Sequence, residues 1–320
     1  MEYEVILATY NGSPFLLEQL NSIKYQTLPP SRLLVSDDLS SDDTVDIIKN
    51  WSMEVCFPVF ILPPSSTRLG CTANFEKLLK ATSFNYVMFA DQDDIWDCSK
   101  AQRMLEKLSL CESIYSKNTP LVVHSDLRLI SEDRSLISPS YFKYQGLSPS
   151  KNDYLAIAFQ NIVTGCSCLV NRSCISYVLP FPADAILHDW WIALVTSYCG
   201  KIIFLPEATL SYRQHNSNLI GAAGIPQLLF RRFTQLFTDV DPLDSWLGIP
   251  LRQLYSFSTR YLTTDNSSYK LVQILFHPNP LFRLYGACRL RLSKHGPFRT
   301  LILYIIIVFW SPSRGSRHLK

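Results

Sequence analysis

The chain of 320 residues holds only 11 glycines, and none of them falls into G-x-G-x-x-G or G-x-x-x-x-G-K-[ST] spacing. A dinucleotide-binding turn and a P-loop are therefore excluded, and any polyphosphate must be held some other way. The nine cysteines, from Cys56 to Cys288, are odd in number and include no Cys-x-x-Cys pair. That argues against a disulfide framework and a zinc site, and for free thiols in a reducing compartment. Long apolar runs are missing too. The longest, L-I-L-Y-I-I-I-V-F-W at 301–310, has ten residues, where a bilayer-spanning helix takes roughly 20. No basic-then-apolar leader opens the chain, since Glu2 and Glu4 stand in its first strand-like run, so export is not expected. Acid, finally, is absent after Asp265.

With 47% hydrophobic and 18% charged residues, the chain has enough apolar matter for one large domain or two smaller ones and is not a disordered polymer. Its 30 basic and 27 acidic residues leave a net charge of +3, too even for a nucleic-acid footprint, so no nucleic-acid partner is expected. The distribution is uneven. Up to residue 225 there are 17 Lys+Arg against 23 Asp+Glu, and beyond it 13 against 4. Arg289, Arg291, Lys294 and Arg299 precede the 301–310 run, and Arg314, Arg317 and Lys320 follow it. With Tyr304 and Trp310 as amphipathic aromatics, the run reads either as a segment lying on an anionic membrane surface or as a packing element of the core or of an oligomer. The expected location is cytoplasmic, with peripheral contact on the inner face of the plasma membrane; no oligomeric state is legible.

Over the first 125 residues short β-rich runs alternate with helical patterns, the signature of an α/β sheet. Strands are expected at Glu4–Thr9, 33–36, 55–62, Tyr86–Ala90 and 121–124, and helices at 16–23, 43–51, 74–82 and about 99–110. Further on, 161–170 and 201–205 read as strands and 189–198 as a helix. From about residue 224 the pattern is Phe-, Leu- and Arg-rich and mainly helical, broken by prolines.

In open α/β sheets ligands bind outside the carboxyl ends of the strands. Three such ends are Ala8-Thr9-Tyr10-Asn11-Gly12, Asp37-Asp38-Leu39-Ser40-Ser41-Asp42-Asp43-Thr44 and Asp91-Gln92-Asp93-Asp94. Three carboxylates within four residues repel one another unless a cation, or Lys and Arg partners, neutralises them. Hard oxygen donors favour Mg²⁺ or Mn²⁺, which bind one or two carboxylates together with substrate phosphates. On an extended segment Asp91 and Asp93 point the same way, so one can take the metal while the other reaches a ribose or the metal's water shell. Taken alone, such a triplet is equally an ordinary acidic turn, and Asp42 and Asp43 read as caps of the next helix.

The ordered set A-T-Y-N-G, S-D-D-L-S-S-D-D-T, D-Q-D-D-I-W, H-S-D-L, then H-D-W-W followed by Y-R-Q-H-N-S-N, resembles the family 2 glycosyltransferases of the GT-A fold. Within them it is most similar to the bacterial rhamnosyltransferase type, and the resemblance spans roughly residues 3–221. It implies an α/β, Rossmann-like mixed sheet flanked by helices over 1–225, with a nucleotide-sugar half at about 1–125 and an acceptor half at about 126–225. Residues 226–320 would form a basic, aromatic, helical extension suited to a membrane surface. It implies that Ala8 and Tyr10 lie beside the base and ribose, and that Asp38 accepts from the uracil or thymine N3–H. Asp91 would lie near ribose and sugar, Asp93 would ligate Mg²⁺ or Mn²⁺, His215 would join the metal or diphosphate, and Arg213 would contact the phosphates. Asp189 would be the catalytic base, preceded here by His188 where the family usually has an acidic residue. The implied reaction is inverting transfer of a sugar, rhamnose foremost, from a dTDP- or UDP-sugar to a lipid-linked or glycan acceptor of a bacterial surface polysaccharide.

The residues by themselves leave alternatives. Asp189 could cap its helix, Trp190 could be core rather than an acceptor-stacking ring, and Asp126 could build a turn rather than a sugar pocket. V-M-F-A-D-Q-D also reads as the strand and D-x-D of a haloacid-dehalogenase-like phosphatase, although Ile95 stands where that chemistry wants Thr or Val. A non-catalytic binding protein on the same fold is the third possibility.

Overall fold

The computed structural model describes residues 1–215, 243–263 and 266–310. Expectations placed on 216–242, among them the N-S-N of the last motif, and on Arg314, Arg317 and Lys320 lie outside the described residues. The chain divides into two compact units that do not follow a single cut in sequence. The first gathers 1–145, 163–181 and the described residues from 187 to 215; the second gathers 146–162, 182–186 and the described residues beyond 242.

The chain begins with β1 (Glu4–Thr9), α1 (Ser13–Lys24), β2 (Arg32–Asp37), α2 (Thr44–Ser52), β3 (Val59–Ile61), α3 (Cys71–Ala81), β4 (Tyr86–Ala90), β5 (Ile95–Trp96) and α4 (Lys100–Tyr115). It continues with β6 (Leu121–Ser131), β7 (Leu136–Ser138), α5 (Tyr141–Gln145), α6 (Tyr154–Phe159, in the second unit), β8 (Cys168–Asn171), α7 (Arg172–Val178), α8 (His188–Cys199) and β9 (Lys201–Gln214). Among the described residues nine strands form one sheet in the order β3-β2-β1-β4-β8-β6-β9-β5, with β7 beside β6. β3, β2, β1 and β4 run parallel, β8 is antiparallel to β4 and β6, and β9 is again parallel to β6.

The central strands are buried on both faces, which is why they read as nearly unbroken apolar runs. Val5 and Leu7 of β1 pack with Leu16, Leu20 and Ile23 of α1 and Met104 and Leu108 of α4. On β4, Phe89 meets Phe75 of α3 at 5.5 Å between ring centroids. Register then decides where the loops emerge. Thr9 lies opposite Asp37 and Leu7 opposite Ala90, so the segments 10–12, 37–44 and 91–94 leave the sheet at one edge.

Several boundaries differ from the sequence pattern. The strand expected at 55–62 shrinks to Val59–Ile61, and of 161–170 only the end, from Cys168, joins the sheet. The strands expected at 121–124 and 201–205 are longer: β6 reaches Ser131, and β9 runs through Pro206 to Gln214. Pro206 is tolerated because the ladder shifts there. Ser125 pairs with Leu205 and Asp126 with Ala208, which leaves Pro206 and Glu207 in a bulge where no amide is required.

The second unit adds α9 (Ile249–Tyr261), α10 (Ser267–Ile274), α11 (Pro280–Arg289) and α12 (Pro297–Phe309) to α6. Its core includes Leu251, Leu254, Phe257, Leu303, Ile307 and Trp310. Arg283, 3% exposed, donates to the carbonyls of Ile307, Val308 and Trp310, satisfying acceptors that the end of α12 leaves open. Residues 301–310 are thus mostly helix, and of the two readings open for Trp310, interfacial anchor or packing element, its buried ring takes the second. No helix among the described residues is long and apolar enough to cross a membrane.

Candidate active site

The loop after β1 is built by side chains from two other loops. Gln92 grips the Tyr10 backbone from both sides, accepting from its amide at 2.8 Å and donating to its carbonyl at 3.0 Å. Asp37 accepts from Thr9 Oγ1 (2.8 Å) and from the Ser40 amide (2.8 Å), so the first carboxylate of the pair is scaffold. Asp43 makes no capping bond to α2. Asp42 accepts from the Thr44 hydroxyl and amide and from the Ser13 amide instead; against a desolvation penalty, these bonds, that of the Thr44 hydroxyl foremost, hold its carboxyl down at about 2.

Asp38, 4% exposed, accepts from the Leu69 and Gly70 amides at 2.6 and 2.9 Å, which leaves each oxygen a further lone pair. Arg68 comes within 3.8 Å of the same carboxylate and lays its guanidinium 3.4 Å from the centroid of the Tyr10 ring. Ala8, one position before the end of β1, is half-buried. Tyr10, Asp38 and Arg68 therefore form one corner, and Arg68 is a member that no strand-end pattern could have revealed.

The acidic loop after β4 splits by environment. Asp93 Oδ2 lies 2.8 Å from His215 Nε2, and the His215 ring packs on Phe15 at 4.8 Å. Asp94 is fully buried and accepts from the Arg213 amide at 3.3 Å. Burial, then the charges of Asp93 and Asp91, pushes its carboxyl well up. For Asp91, desolvation and then the charges of Asp93 and Asp189 raise the carboxyl to about 7, with Lys100 opposing. Lys100 is itself fully buried, 3.5 Å from the Trp96 ring centroid and bonded to the Cys166 carbonyl. Desolvation lowers it to about 8 against the pull of nearby negative groups.

Arg213 is held by partners within the protein. Its guanidinium is 1% exposed and donates to the Asp93 carbonyl (2.9 Å), the Glu132 carbonyl (2.8 Å) and Glu18 Oε2 (2.6 Å). It pins the acidic loop to α1. Asp126 likewise turns out to be a turn builder, accepting from the Leu127 amide (2.8 Å), the Phe142 amide (3.2 Å) and the Ser140 hydroxyl.

Asp189 is the second residue of α8, whose cap position is held by Leu187. The carboxylate, 8% exposed, accepts from the Gly165 amide at 2.9 Å. Burial raises it to about 7, with backbone N–H groups of Gly165 and Trp190 partly offsetting. His188 before it is buried between Phe75 (3.9 Å) and Phe89 (5.5 Å), and desolvation holds it at about 3, so it is neutral at physiological pH. Trp191 is core and bonds the Val178 carbonyl at 2.9 Å, whereas Trp190 is half-buried.

One residue ties these parts together. Cys71 opens α3 directly after Gly70, and its Sγ lies 3.8 Å from His188 Nδ1. Desolvation and then the charges of Asp91, Asp189, Asp38 and Asp93 drive its thiol upward. The four carboxylates singled out in sequence thus lie within electrostatic reach of one side chain that the sequence did not mark.

Asp91, Asp93 and His215 are two carboxylates and an imidazole, donor types that Mn²⁺ accepts well and Mg²⁺ adequately, and of the three Asp93 and His215 meet, at 2.8 Å. The three side chains among the described residues whose ligand atoms lie within 4.8 Å of one another are Asp91, Asp94 and Cys166. Burial keeps the Cys166 thiol protonated, and a thiol is a poor ligand for either ion.

Residues 4–152 match the family described as Glycosyl transferase family 2. This segment is of the family 2 glycosyltransferase type. The dTDP-rhamnosyl transferase RfbG of Shigella flexneri is 29% identical over 231 residues, 68% of this chain and 74% of RfbG. The O-antigen chain rhamnosyltransferase WbaN of Salmonella anatum is 28% identical over 220 residues, 67% of this chain and 66% of WbaN. In fold the glycosyltransferase resembles the mannosyltransferase PcManGT from Pyrobaculum calidifontis, whose structure holds GDP-Man and Mn²⁺, with a TM-score of 0.53 over 100% of this chain and 88% of that one at 15% identity. The mixed sheet is a GT-A sheet, and the chain is a glycosyltransferase of the rhamnosyltransferase-like kind. A haloacid-dehalogenase-like phosphatase and a non-catalytic binding protein are thereby set aside.

Proposed function

We propose that this glycosyltransferase moves a sugar, rhamnose foremost, from a dTDP- or UDP-linked donor to a hydroxyl of a lipid-linked or glycan acceptor, with inversion at the anomeric carbon. Asp189 carries this assignment. A carboxyl raised to about 7, held by a backbone amide and close enough to Asp91 to perturb it, is poised to take a proton near neutral pH. Asp189 would remove the acceptor hydroxyl proton as that oxygen bonds to the anomeric carbon. The bond from this carbon to the diphosphate oxygen breaks, and its electron pair leaves with the nucleoside diphosphate.

Tyr10 and Arg68 would flank the base, and Asp38 would accept its N3–H. Asp93 and His215 would hold Mn²⁺ or Mg²⁺ with Asp91 beside them; when bound, the cation neutralises charge on the leaving diphosphate. Arg213 keeps Asp93 in place rather than touching phosphate. The half-buried Trp190 ring, next to the base, is suited to stack on an acceptor sugar. The names of RfbG and WbaN support rhamnose, and a nucleotide-sugar donor supports a cytoplasmic position.

The test supplies dTDP-rhamnose, UDP-glucose and UDP-N-acetylglucosamine, with Mn²⁺ or Mg²⁺, to the purified chain with a lipid-linked glycan acceptor. Proton NMR of the product should show the anomeric configuration opposite to the donor's. Retention of configuration would overturn the base assignment, and transfer undiminished by chelator would overturn the metal assignment.

A further inference from the structure

The second unit carries a surface that sugar transfer leaves unused. α11 and α12 pack on one another, burying Gly286 and Ala287 of the first and Leu303, Ile306 and Ile307 of the second. Their other faces are also apolar. α11 exposes Leu281, Phe282 and Tyr285, and α12 exposes Phe298, Leu301, Ile305 and Phe309, between 48% and 73% each. The spacing of i, i+1, i+4 on one helix and of three to four residues on the other makes each set a single stripe. A helix in water turns one stripe inward and shows polar residues outward, so α12, apolar on both sides, is built to meet something other than water.

The charge around these stripes identifies the occupant. Arg289 continues the exposed face of α11, Arg291 is exposed in the turn that follows, and Lys151 shares a shallow groove with Thr300, Leu301 and Tyr304. No acidic residue occurs after Asp265. A second copy docked face to face would set these like charges against one another, whereas an anionic bilayer complements them and accepts the apolar side chains.

We propose that the outer face of α11 and α12 docks on an anionic lipid bilayer, with Phe282, Leu301 and Phe309 entering the headgroup boundary and Arg289, Arg291 and Lys151 meeting lipid phosphates. The docking is independent of the donor, the metal and the base. Of the run at 301–310, Leu301, Ile305 and Phe309 are exposed on this face while Trp310 is buried, and the rest of the surface comes from α11 and Phe298.

Co-sedimentation of the full chain with vesicles tests this. Vesicles of phosphatidylcholine with about one third phosphatidylglycerol should bind at least about ten-fold more tightly than phosphatidylcholine alone, and salt should weaken the binding. Arg289→Gln and Arg291→Gln should each cost about five-fold. The triple change F282S/L301S/F309S should abolish binding with unchanged circular dichroism and unchanged transfer to a soluble acceptor; F309S alone, at the helix end, gives a partial loss if the triple variant folds poorly. Equal binding to neutral vesicles, or undiminished binding by these variants, overturns the proposal. So does a dimer in sedimentation equilibrium that the triple change dissociates while vesicle binding persists, which would make the face an interface between copies.

Discussion

The Gly165 amide donates to Asp189 Oδ2 at 2.9 Å from the start of a 3-10 turn, where a Cβ would stand 2.4 Å from His188 Nε2. The His188 ring cannot retreat, because Phe75 and Phe89 pack against it. G165A should therefore cost about 1–3 kcal/mol through overpacking and displace the proposed base. Calorimetry should show a lower Tm, and initial rates a kcat reduced by about ten-fold or more, while donor affinity is nearly unchanged. A G165A enzyme with full kcat would separate this amide from catalysis.

Asp189 also links activity to pH. Its folded-state pKa is raised from 3.8 to about 7, so the fold disfavours the anion: the stability contributed by the protonated form is intact below about pH 3.8 and is lost as pH rises towards 7. Catalysis needs the opposite form. In kcat/KM against pH we expect an ascending limb near pH 7, and for D189N a loss of about 10²–10⁴-fold. D189N should match the parent's stability at pH 4 and exceed it at pH 8 by roughly 1–3 kcal/mol, read from denaturant unfolding. A variant less stable at pH 8 would show that Asp189 serves the fold.

The Asp93 and His215 pair can be tested without turnover. Titration calorimetry of dTDP or UDP should show Mn²⁺-dependent binding that weakens about 10–100-fold in D93A and about ten-fold in H215A. Metal-independent tight binding by the parent chain would dismiss the pair as ligands.

The Arg68 and Tyr10 contact should matter for the nucleotide alone. R68A and Y10A are each expected to weaken dTDP and UDP binding, with a coupling energy of about 0.5–1 kcal/mol in a double-mutant cycle. Additive effects would mean that the stacked pair does not act as one surface.

Much of the proposed donor side was legible because it sits at strand ends. Asp38, Asp91 and Asp93 follow apolar runs that could only be buried strands, and the register of β1, β2 and β4 brings their ends to one edge. Arg68, Cys71 and Lys100 were not legible, because each lies in or beside a helix or loop with no local signal and acquires its place through neighbours distant in sequence. The partners of Arg213, Glu18 and two carbonyls, were hidden for the same reason. β9 was cut short at Pro206, since a proline argues against a strand until a bulge in its partner's ladder is known.

The sequence by itself determined the central parallel strands, the helices between them and the acidic loops at their ends, because a buried parallel strand writes an apolar run and its functional end writes the polar break after it. Only the tertiary structure decided that burial raises the Asp91 and Asp189 carboxyls, which carboxylates are scaffold, and which face of α12 meets the core. Burial and electrostatic fields are sums over spatial neighbours, and those neighbours, Lys100 for Asp91 or Phe75 for His188, are set by packing rather than by spacing along the chain.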